Sequence, residues 1–149
     1  MKKFYSVLDS GVLGLVTQPM QHLVNSDMAR RVGGKVIFYT QERLETLSTH
    51  SMVRARVAES PAMDGIVFFR LKQLCYGAEF DFAFLSELIE RGYEAHFARE
   101  VFSVRSRAEF DAAIPTLMTF QYLNDPDRAA HMRQNLGDDY ESLGLIVDG

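Results

Sequence analysis

Short runs of strand-forming residues alternate along this chain with longer stretches of helical periodicity. The clearest runs are residues 36–39 and 66–69, in which every residue is apolar or aromatic. Continuous apolar runs of this length are typical of strands that are covered on both faces of a parallel sheet. We therefore predict that these two strands lie side by side, in the same direction, in the middle of one sheet.

Helical periodicity fills the segments between and after the strands. Pro19 suits the first turn of a helix over residues 19–32, because its missing N–H needs no partner there. Ser106 precedes Glu109 at capping-box spacing and predicts a helix over 107–123, which Pro115 should kink or split. The remaining segments are a loop at 70–79 and helices at 44–59, 80–91 and about 125–137.

This alternation predicts an α/β fold of three layers, with a mainly parallel four-stranded sheet flanked by helices. The four strands are residues 4–8, 35–40, 66–69 and 93–98, with the last strand at a sheet edge. Residues 1–137 are expected to form a single domain, and residues 138–149 an acidic tail.

Composition narrows the environment and the classes of partner. The net charge is −4 and no basic run exceeds two residues, which disfavours nucleic acid as a partner. Cys75 is the only cysteine, so an internal disulfide and a cysteine-rich metal site are excluded. No apolar run has the length of a membrane helix and no signal peptide is evident, so we expect a cytoplasmic protein without membrane contact. No cofactor motif occurs, and we expect neither cofactor nor metal.

Ligands of open parallel sheets bind beyond the carboxyl ends of the strands, so polar residues at those ends are site candidates. Ser10 follows the first strand and could act as a nucleophile or bind phosphate, with a turn serine as the alternative. Arg70 and Gln73 follow the second apolar run and are the best anion or hydroxyl binders, with a salt bridge or helix cap as the alternative.

Further candidates complete this predicted site. Gln21 and Asn25 are one helical turn apart, so both amides can face one ligand unless that face is merely solvated. His96 and Glu100 are four residues apart and could share acid–base work if strand geometry persists; an outward histidine and a surface glutamate are the alternative. The predicted catalytic residues are Ser10, His96 and Glu100, and the predicted substrate-binding residues are Gln21, Asn25, Gln41, Arg70, Gln73 and Arg99.

Three stretches in combination resemble a known family. They are residues 19–27 (PMQHLVNSD), 64–74 (DGIVFFRLKQL) and 92–100 (GYEAHFARE). Together they resemble the sporadic carbohydrate cluster proteins of bacteria, which are encoded among genes for unusual surface sugars. The resemblance spans about residues 4–112. It implies a role in surface-carbohydrate biosynthesis and a sugar, sugar-phosphate or nucleotide-sugar ligand.

The same layout is similar to the catalytic domain of serine recombinases, which implies a resolvase- or flavodoxin-like fold. In that family a nucleophilic serine follows the first strand, which Ser10 matches only with a longer following loop. Leu8 stands where the family has an arginine, Lys72 and Gln73 replace its Asp-Arg pair, and Tyr76 replaces a second arginine. Phosphoryl transfer needs that positive cluster, so recombination chemistry does not carry over.

Three functions remain open from the sequence. The first is an enzyme or binding protein for a sugar or sugar-phosphate in carbohydrate biosynthesis. The second is a non-catalytic partner or regulatory subunit of a neighbouring pathway enzyme. The third is a degenerate recombinase domain that binds DNA. A homodimer is also open, because the apolar residues 143–147 of the tail could be buried against a second copy.

Overall fold

The computed structural model describes residues 1–9, 17–42, 53, 55, 57, 63–76, 78–128, 130 and 134. Within these residues, the strands form one five-stranded sheet and one separate hairpin. The sheet contains β1 (Lys2–Asp9), β2 (Gly34–Glu42), β3 (Gly65–Phe68), β6 (Glu94–Phe97) and β7 (Phe102–Val104), and the hairpin contains β4 (Cys75–Tyr76) and β5 (Glu79–Phe80). The longer helices are α1 (Gln18–Arg31), α2 (Phe82–Glu90) and α3 (Arg107–Leu123).

The strand order of the sheet is β2-β1-β3-β6-β7. The first four strands are parallel, and β7 runs antiparallel to β6. The predicted α/β class with a mostly parallel sheet is therefore confirmed, but the prediction of four strands is wrong. The chain turns back after β6 through a tight turn in which Val101 has a φ of 53°, and the next three residues form β7. Because β7 covers β6, the predicted edge position of β6 is also wrong.

The two apolar runs do not lie next to each other, which corrects a further prediction. β1 lies between β2 and β3, and β2 is an edge strand of the described sheet. Its side chains at Ile37 and Tyr39 are 47% and 61% exposed. The register shifts between Phe4 and Tyr5, where Val36 and Phe38 are the partners. This bulge shifts the alternation of side chains along β2 between the two faces of the sheet. The apolar run of residues 36–39 therefore marks an edge strand with exposed side chains, and it does not mark a strand that is covered on both faces.

Alternation along the central strands divides the core between the two faces of the sheet. On one face, α1 packs on the sheet and Phe4 and Val67 cluster with Met28 and Ala29. On the other face, the side chains of the strands pack against α2 and α3 in the larger cluster. Its fully buried members include Ile66, Phe68, Leu85, Leu88, Leu117 and Phe120.

Two helices begin at the caps that the sequence provides. Ser106 Oγ accepts from the Glu109 N–H at 3.2 Å, and α3 then runs over the predicted residues. The expected split at Pro115 does not occur. Pro115 has no N–H to donate to the carbonyl of Asp111. Both residues lie on the exposed side of α3, so water can bond to that carbonyl instead. α1 begins after Thr17, whose Oγ1 accepts from the Met20 N–H at 3.4 Å.

The segment before α2 differs from the sequence prediction. Residues 70–79 were expected to be a loop, but residues Leu71–Leu74 form a 3-10 turn and β4 and β5 follow it. Phe80 belongs to β5, so α2 begins at Phe82 after its cap Asp81, rather than at residue 80. An apolar periodicity cannot separate one strand residue from the helix that follows it.

Parts of two predicted helices fall inside the described residues. Val53, Ala55 and Val57 are helical, and Val53 and Val57 are buried in the larger core. Residues 126–128 are helical as predicted. The remainder of these helices and the acidic tail lie outside the described residues. None of the helices in the described part of the chain has both the length and the apolar character of a membrane span.

Candidate functional site at the carboxyl ends of the strands

The sheet reverses its strand order at one place. The chain passes from β1 to β2 on one side and then returns to β3 on the other side of β1. Open α/β sheets bind ligands in the crevice beyond the carboxyl ends of their strands at such a reversal. Five buried or partly buried polar residues meet there, and we call them the carboxyl rim: Asp9, Gln21, Arg70, Gln73 and Glu100.

A buried ion pair spans the point where the order reverses. Asp9 is the last residue of β1, and Arg70 follows the end of β3 by two residues. Asp9 Oδ2 accepts from Arg70 Nε at 2.8 Å and from Nη2 at 2.7 Å, and the two side chains are 0% and 8% exposed. Each charge compensates the other in a place that water does not reach. The two hydrogen bonds to Asp9 Oδ2 also fix the plane of the Arg70 guanidinium.

Gln73 ties the segment after β3 to β1. Its Oε1 accepts from the Arg70 N–H at 2.9 Å, and its Nε2 donates to the Val7 carbonyl at 3.1 Å. The 3-10 turn places Gln73 three residues after Arg70, which is the spacing that allows the first of these bonds. Gln73 lies at the rim, and its amide holds Arg70 against the end of β1. The Arg70–Asp9 salt bridge and the cap formed by Gln73 are the structural roles that the sequence left open as the alternative to ligand binding.

Gln21 and Asn25 lie on the buried face of α1 and both contact the strands. Gln21 Oε1 accepts from the Asp9 N–H at 2.7 Å, and Gln21 Nε2 donates to the Asp9 carbonyl at 3.0 Å. Asn25 Nδ2 donates to Ser6 Oγ at 2.9 Å, one helical turn further from the rim. The two amides share one face of α1 as predicted, but both are completely buried and bonded to the strands, so neither the expected orientation toward a ligand nor the alternative of a solvated face is observed. The bonds from Gln21 position Asp9.

Glu100 brings the turn after β6 to the same rim. Its Oε1 accepts from the Leu71 N–H at 3.0 Å. Burial raises the pKa of the Glu100 carboxyl to about 7, against the opposing effects of the Leu71 N–H and of the Arg99 and Arg70 cations. A carboxyl group with a pKa near neutral pH can both donate and accept a proton, which is what general acid–base chemistry requires.

For the other predicted rim residues, the structure describes backbone contacts or only the neighbouring residues. Arg99 is partly buried in the turn after β6, and its N–H donates to the Phe69 carbonyl at 2.8 Å. The backbone of Gln41 pairs with Leu8 near the carboxyl end of β2, at the same edge of the sheet as Asp9. Ser10 follows Asp9 directly in the sequence and lies outside the described residues.

His96 does not lie with Glu100, contrary to the pairing expected from their spacing. Its ring faces the α1 side of the sheet and contacts Phe4, with the ring centroids 5.2 Å apart. Its nitrogens are bonded to Ser103 and to Glu94, the first residue of β6. Residues four apart share a side only while a strand continues, and β6 ends at Phe97 before the chain turns.

Cys75 provides no reactive thiol at the rim. It is buried beside the 3-10 turn, and burial raises the pKa of its thiol to about 12. A thiol with so high a pKa is protonated at neutral pH and is a poor nucleophile. No group of three or more His, Cys, Asp or Glu side chains among the described residues is placed to hold a metal ion.

Sequence reasoning missed three residues that the structure joins to predicted ones. Asp9 was recognisable at a strand end, but its ion pair with Arg70 depends on two strands that are distant in sequence. Glu94 and His96 are two residues apart, and this spacing places both on one face of a strand. Ser103 had no comparable signal, because the three-residue strand β7 carries no detectable periodicity.

No model of a known protein family matches the chain, and no curated protein sequence matches it. The resemblance carried by residues 19–27, 64–74 and 92–100 therefore stays a prediction. The geometry of the carboxyl rim is the observation from which a function can be inferred.

Proposed function

We propose that the protein binds a small sugar-phosphate or nucleotide-sugar ligand at the carboxyl rim, within a bacterial pathway of surface-carbohydrate biosynthesis. The observation that carries this proposal is the buried Arg70–Asp9 pair beside Glu100, at the point where the strand order reverses. A planar, fixed guanidinium suits a phosphate group, and neighbouring carboxylate and amide groups suit sugar hydroxyls.

Arg70 is the anion-binding residue in this proposal. Asp9, together with the Gln73 amide at the Arg70 backbone, holds the arginine before any ligand arrives. Preorganisation of this kind reduces the conformational entropy that binding would otherwise cost.

Glu100 is the proton-transfer residue in this proposal, in place of the predicted pair of His96 and Glu100. Its raised pKa keeps a large fraction of the carboxyl protonated near neutral pH. A protonated Glu100 can donate to a ligand oxygen, and the ionised form can accept a proton from a sugar hydroxyl. The reaction would therefore be a proton-dependent change at a sugar carbon or hydroxyl near the anionic group.

The finer fold assignment is part of the same proposal. We propose a resolvase- or flavodoxin-like domain, which the strand order supports. Leaving out the β4–β5 hairpin, the order corresponds to 2-1-3-4-5, which is the flavodoxin-like order, with the last strand reversed. In such folds the crevice between the first and third strands is the usual ligand site, and Asp9 and Arg70 occupy its two sides.

A binding titration tests the proposal. Inorganic phosphate, a panel of sugar phosphates and a panel of nucleotide sugars are titrated separately by calorimetry and by thermal shift. At about 100 times Kd, a specific ligand should add about 2.7 kcal/mol to the unfolding free energy and raise Tm by roughly 5–10 °C. Arg70→Lys should weaken binding at least about 10-fold, because a point charge cannot reproduce bidentate contact with phosphate.

The matched control is Arg91→Lys, an exposed arginine on the C-terminal side of α2 that pairs with Glu87. This variant should bind as tightly as the native chain.

Glu100→Gln should retain binding but lose any proton-dependent turnover, since glutamine accepts the Leu71 N–H and cannot ionise. The proposal fails if no panel member binds at millimolar concentration, or if Arg70→Lys and Arg91→Lys bind equally well.

A second candidate function is a non-catalytic partner of a pathway enzyme, and one observation favours it. The edge strand β2 and the neighbouring helix α1 both carry exposed apolar side chains. Ile37 and Tyr39 of β2 and Met20 and Leu23 of α1 are all exposed large hydrophobic side chains. Exposed apolar side chains on two neighbouring elements favour an interaction site where they form one surface. This candidate predicts that Tyr39→Lys abolishes co-purification with a neighbouring transferase or synthase, whereas Arg70→Lys does not.

A further inference from the structure

Three polar side chains form a continuous hydrogen-bonded chain on the α1 face of the sheet. Ser103 of β7 lies opposite His96 of β6, and Ser103 Oγ is 2.6 Å from His96 Nδ1. The other ring nitrogen, Nε2, is 2.9 Å from Glu94 Oε1. His96 is completely buried, while Ser103 and Glu94 are partly exposed. We call these three residues the Ser103 site.

The partners of His96 determine where its proton lies. Lys2 Nζ donates to Glu94 Oε2 at 2.5 Å, so the Glu94 side chain accepts on that side and is paired with a cation. A carboxylate oxygen only accepts hydrogen bonds, so the proton of neutral His96 is on Nε2. Nδ1 is then an acceptor, and the Ser103 hydroxyl must donate to it. The serine proton therefore already points at a base.

The protonation state of His96 suits that role. Burial lowers the pKa of the imidazole, and this effect is opposed by the Glu94 carboxylate. His96 is consequently neutral at neutral pH and can accept a proton. The adjacent carboxylate can stabilise the imidazolium once it forms, which is the function of the third group in a nucleophile–base–carboxylate arrangement.

We propose that the Ser103 site is an acyl-transfer site, in which Ser103 attacks activated carboxylic esters with His96 as base and Glu94 as the orienting carboxylate. Ser103 Oγ forms a bond to the acyl carbon while its proton passes to His96 Nδ1. The ester C–O bond then breaks, and the leaving alcohol departs with that proton. Water then attacks the acyl carbon and gives a proton to His96 Nδ1. The bond between that carbon and Ser103 Oγ breaks, the carboxylic acid leaves, and His96 returns the proton to Ser103 Oγ.

The location of the Ser103 site makes this activity independent of the carboxyl rim. Glu94 begins β6 and Lys2 begins β1, so the charged end of the site lies at the amino ends of these strands, while His96 and Ser103 pair one residue before β6 ends. None of the described hydrogen bonds of the Ser103 site involves a rim residue. Ser103 is also on an edge strand of the described sheet, where a substrate can approach without crossing another strand.

Covalent labelling tests this proposal. The native chain is treated with a fluorophosphonate probe, in which Ser Oγ forms the bond to phosphorus and fluoride leaves. Intact-protein and peptide mass spectrometry then locate the adduct. We expect one adduct per chain, at Ser103, that is lost in Ser103→Ala. Glu94→Gln should lower the labelling rate at least about 10-fold, because the imidazolium loses its counter-charge.

Ser86 is the matched control serine. It is also partly buried, but its Oγ accepts from Arg107 Nη2 at 3.0 Å and has no histidine partner in the described contacts. Ser86→Ala should label at the native rate. The proposal is overturned if folded native protein carries no adduct at Ser103, or if Ser86 and Ser103 label at equal rates. Circular dichroism of each variant verifies that the fold is retained.

The pH dependence of labelling separates a catalytic arrangement from a structural one and does not depend on any variant. The charged groups facing His96 are Glu94, Lys2 and Arg105, and Arg105 is itself paired with Glu109. Because the pKa of His96 is lowered from 6.5, the labelling rate should be constant from about pH 7 to pH 8 and should fall only in more acidic solution. A rate that instead rises steadily with pH through this range would show unassisted hydroxyl chemistry and reject the base role of His96.

Discussion

The carboxyl rim and the Ser103 site lie in different parts of the same sheet and use buried charge differently. At the rim, Asp9 and Arg70 form a buried pair of opposite charges. At the Ser103 site, the central group is a buried neutral imidazole, and the charges of Glu94 and Lys2 lie at its partly exposed border. A buried ion pair holds a position firmly, whereas a neutral imidazole between a hydroxyl and a carboxylate is arranged to move a proton.

Burial also acts on one titrating group in each region, with opposite consequences for pH. It raises the pKa of Glu100 and lowers the pKa of His96, since in both cases the neutral form is favoured. The stability that Glu100 provides is present below its unfolded pKa and is lost as pH rises through about 7. The stability associated with neutral His96 is present above its unfolded pKa and is lost as pH falls below it.

The largest expected effect comes from breaking the ion pair of the rim. Arg70→Met leaves the buried Asp9 carboxylate without its counter-charge and should lower the unfolding free energy by about 3–5 kcal/mol. Urea denaturation measures this loss. Arg91→Met is the surface control and should cost less than about 1 kcal/mol. Adding Asp9→Leu to Arg70→Met should restore much of the lost stability; a double variant no better than the single one would contradict an energetic coupling of the two charges.

A smaller effect is expected at Glu100, and it should depend on pH. Glu100→Gln retains the acceptor for the Leu71 N–H but removes the titration. Near pH 8 the variant should be roughly 2–3 kcal/mol more stable than the native chain, because ionised Glu100 is costly to bury. Near pH 4 this advantage should vanish. Denaturation curves across this range measure the difference, and a gap that stays constant with pH would mean that the pKa of Glu100 is not raised.

The smallest effect is a shift in the titration of one histidine at the Ser103 site. Glu94→Gln removes the carboxylate that favours imidazolium, so the pKa of His96 should fall further. The ring resonances of His96, followed by NMR against pH, report this directly. Glu87→Gln, a distant exposed change on α2, should leave the titration unaltered. An unchanged His96 titration in Glu94→Gln would show that the 2.9 Å contact carries no electrostatic coupling.

Local patterns accounted for much of the fold. Pro19 and the Ser106–Glu109 spacing predicted two helices to within a residue or so, because helix caps act over a few neighbouring positions. The apolar runs predicted β2 and β3 as strands but placed them wrongly as neighbours. The order of strands depends on which crossover packs where, and a strand's own residues carry no record of its neighbours.

The candidate site was predicted in part for a related reason. Arg70, Gln73 and Glu100 could be assigned to one edge of the sheet, since the carboxyl ends of parallel strands share an edge. Their partners could not be assigned. The amide of Gln73 contacts Val7, 66 residues away in the chain, and Glu100 contacts Leu71 across the end of the sheet. His96 was expected beside Glu100 on the condition that strand geometry persists past the predicted end at residue 98, whereas β6 ends at Phe97 and the chain then turns.

The amino-acid sequence by itself determined the α/β class, the positions of most strands and helices, and the polar character of the strand ends. These features follow from side-chain periodicity and from local backbone preferences, which act between residues close together in the chain. Only the tertiary structure decided that Asp9 neutralises Arg70 and that Ser103 meets His96. Those contacts join strands whose pairing is selected by packing of the whole sheet, and burial there shifts the pKa values of Glu100 and His96.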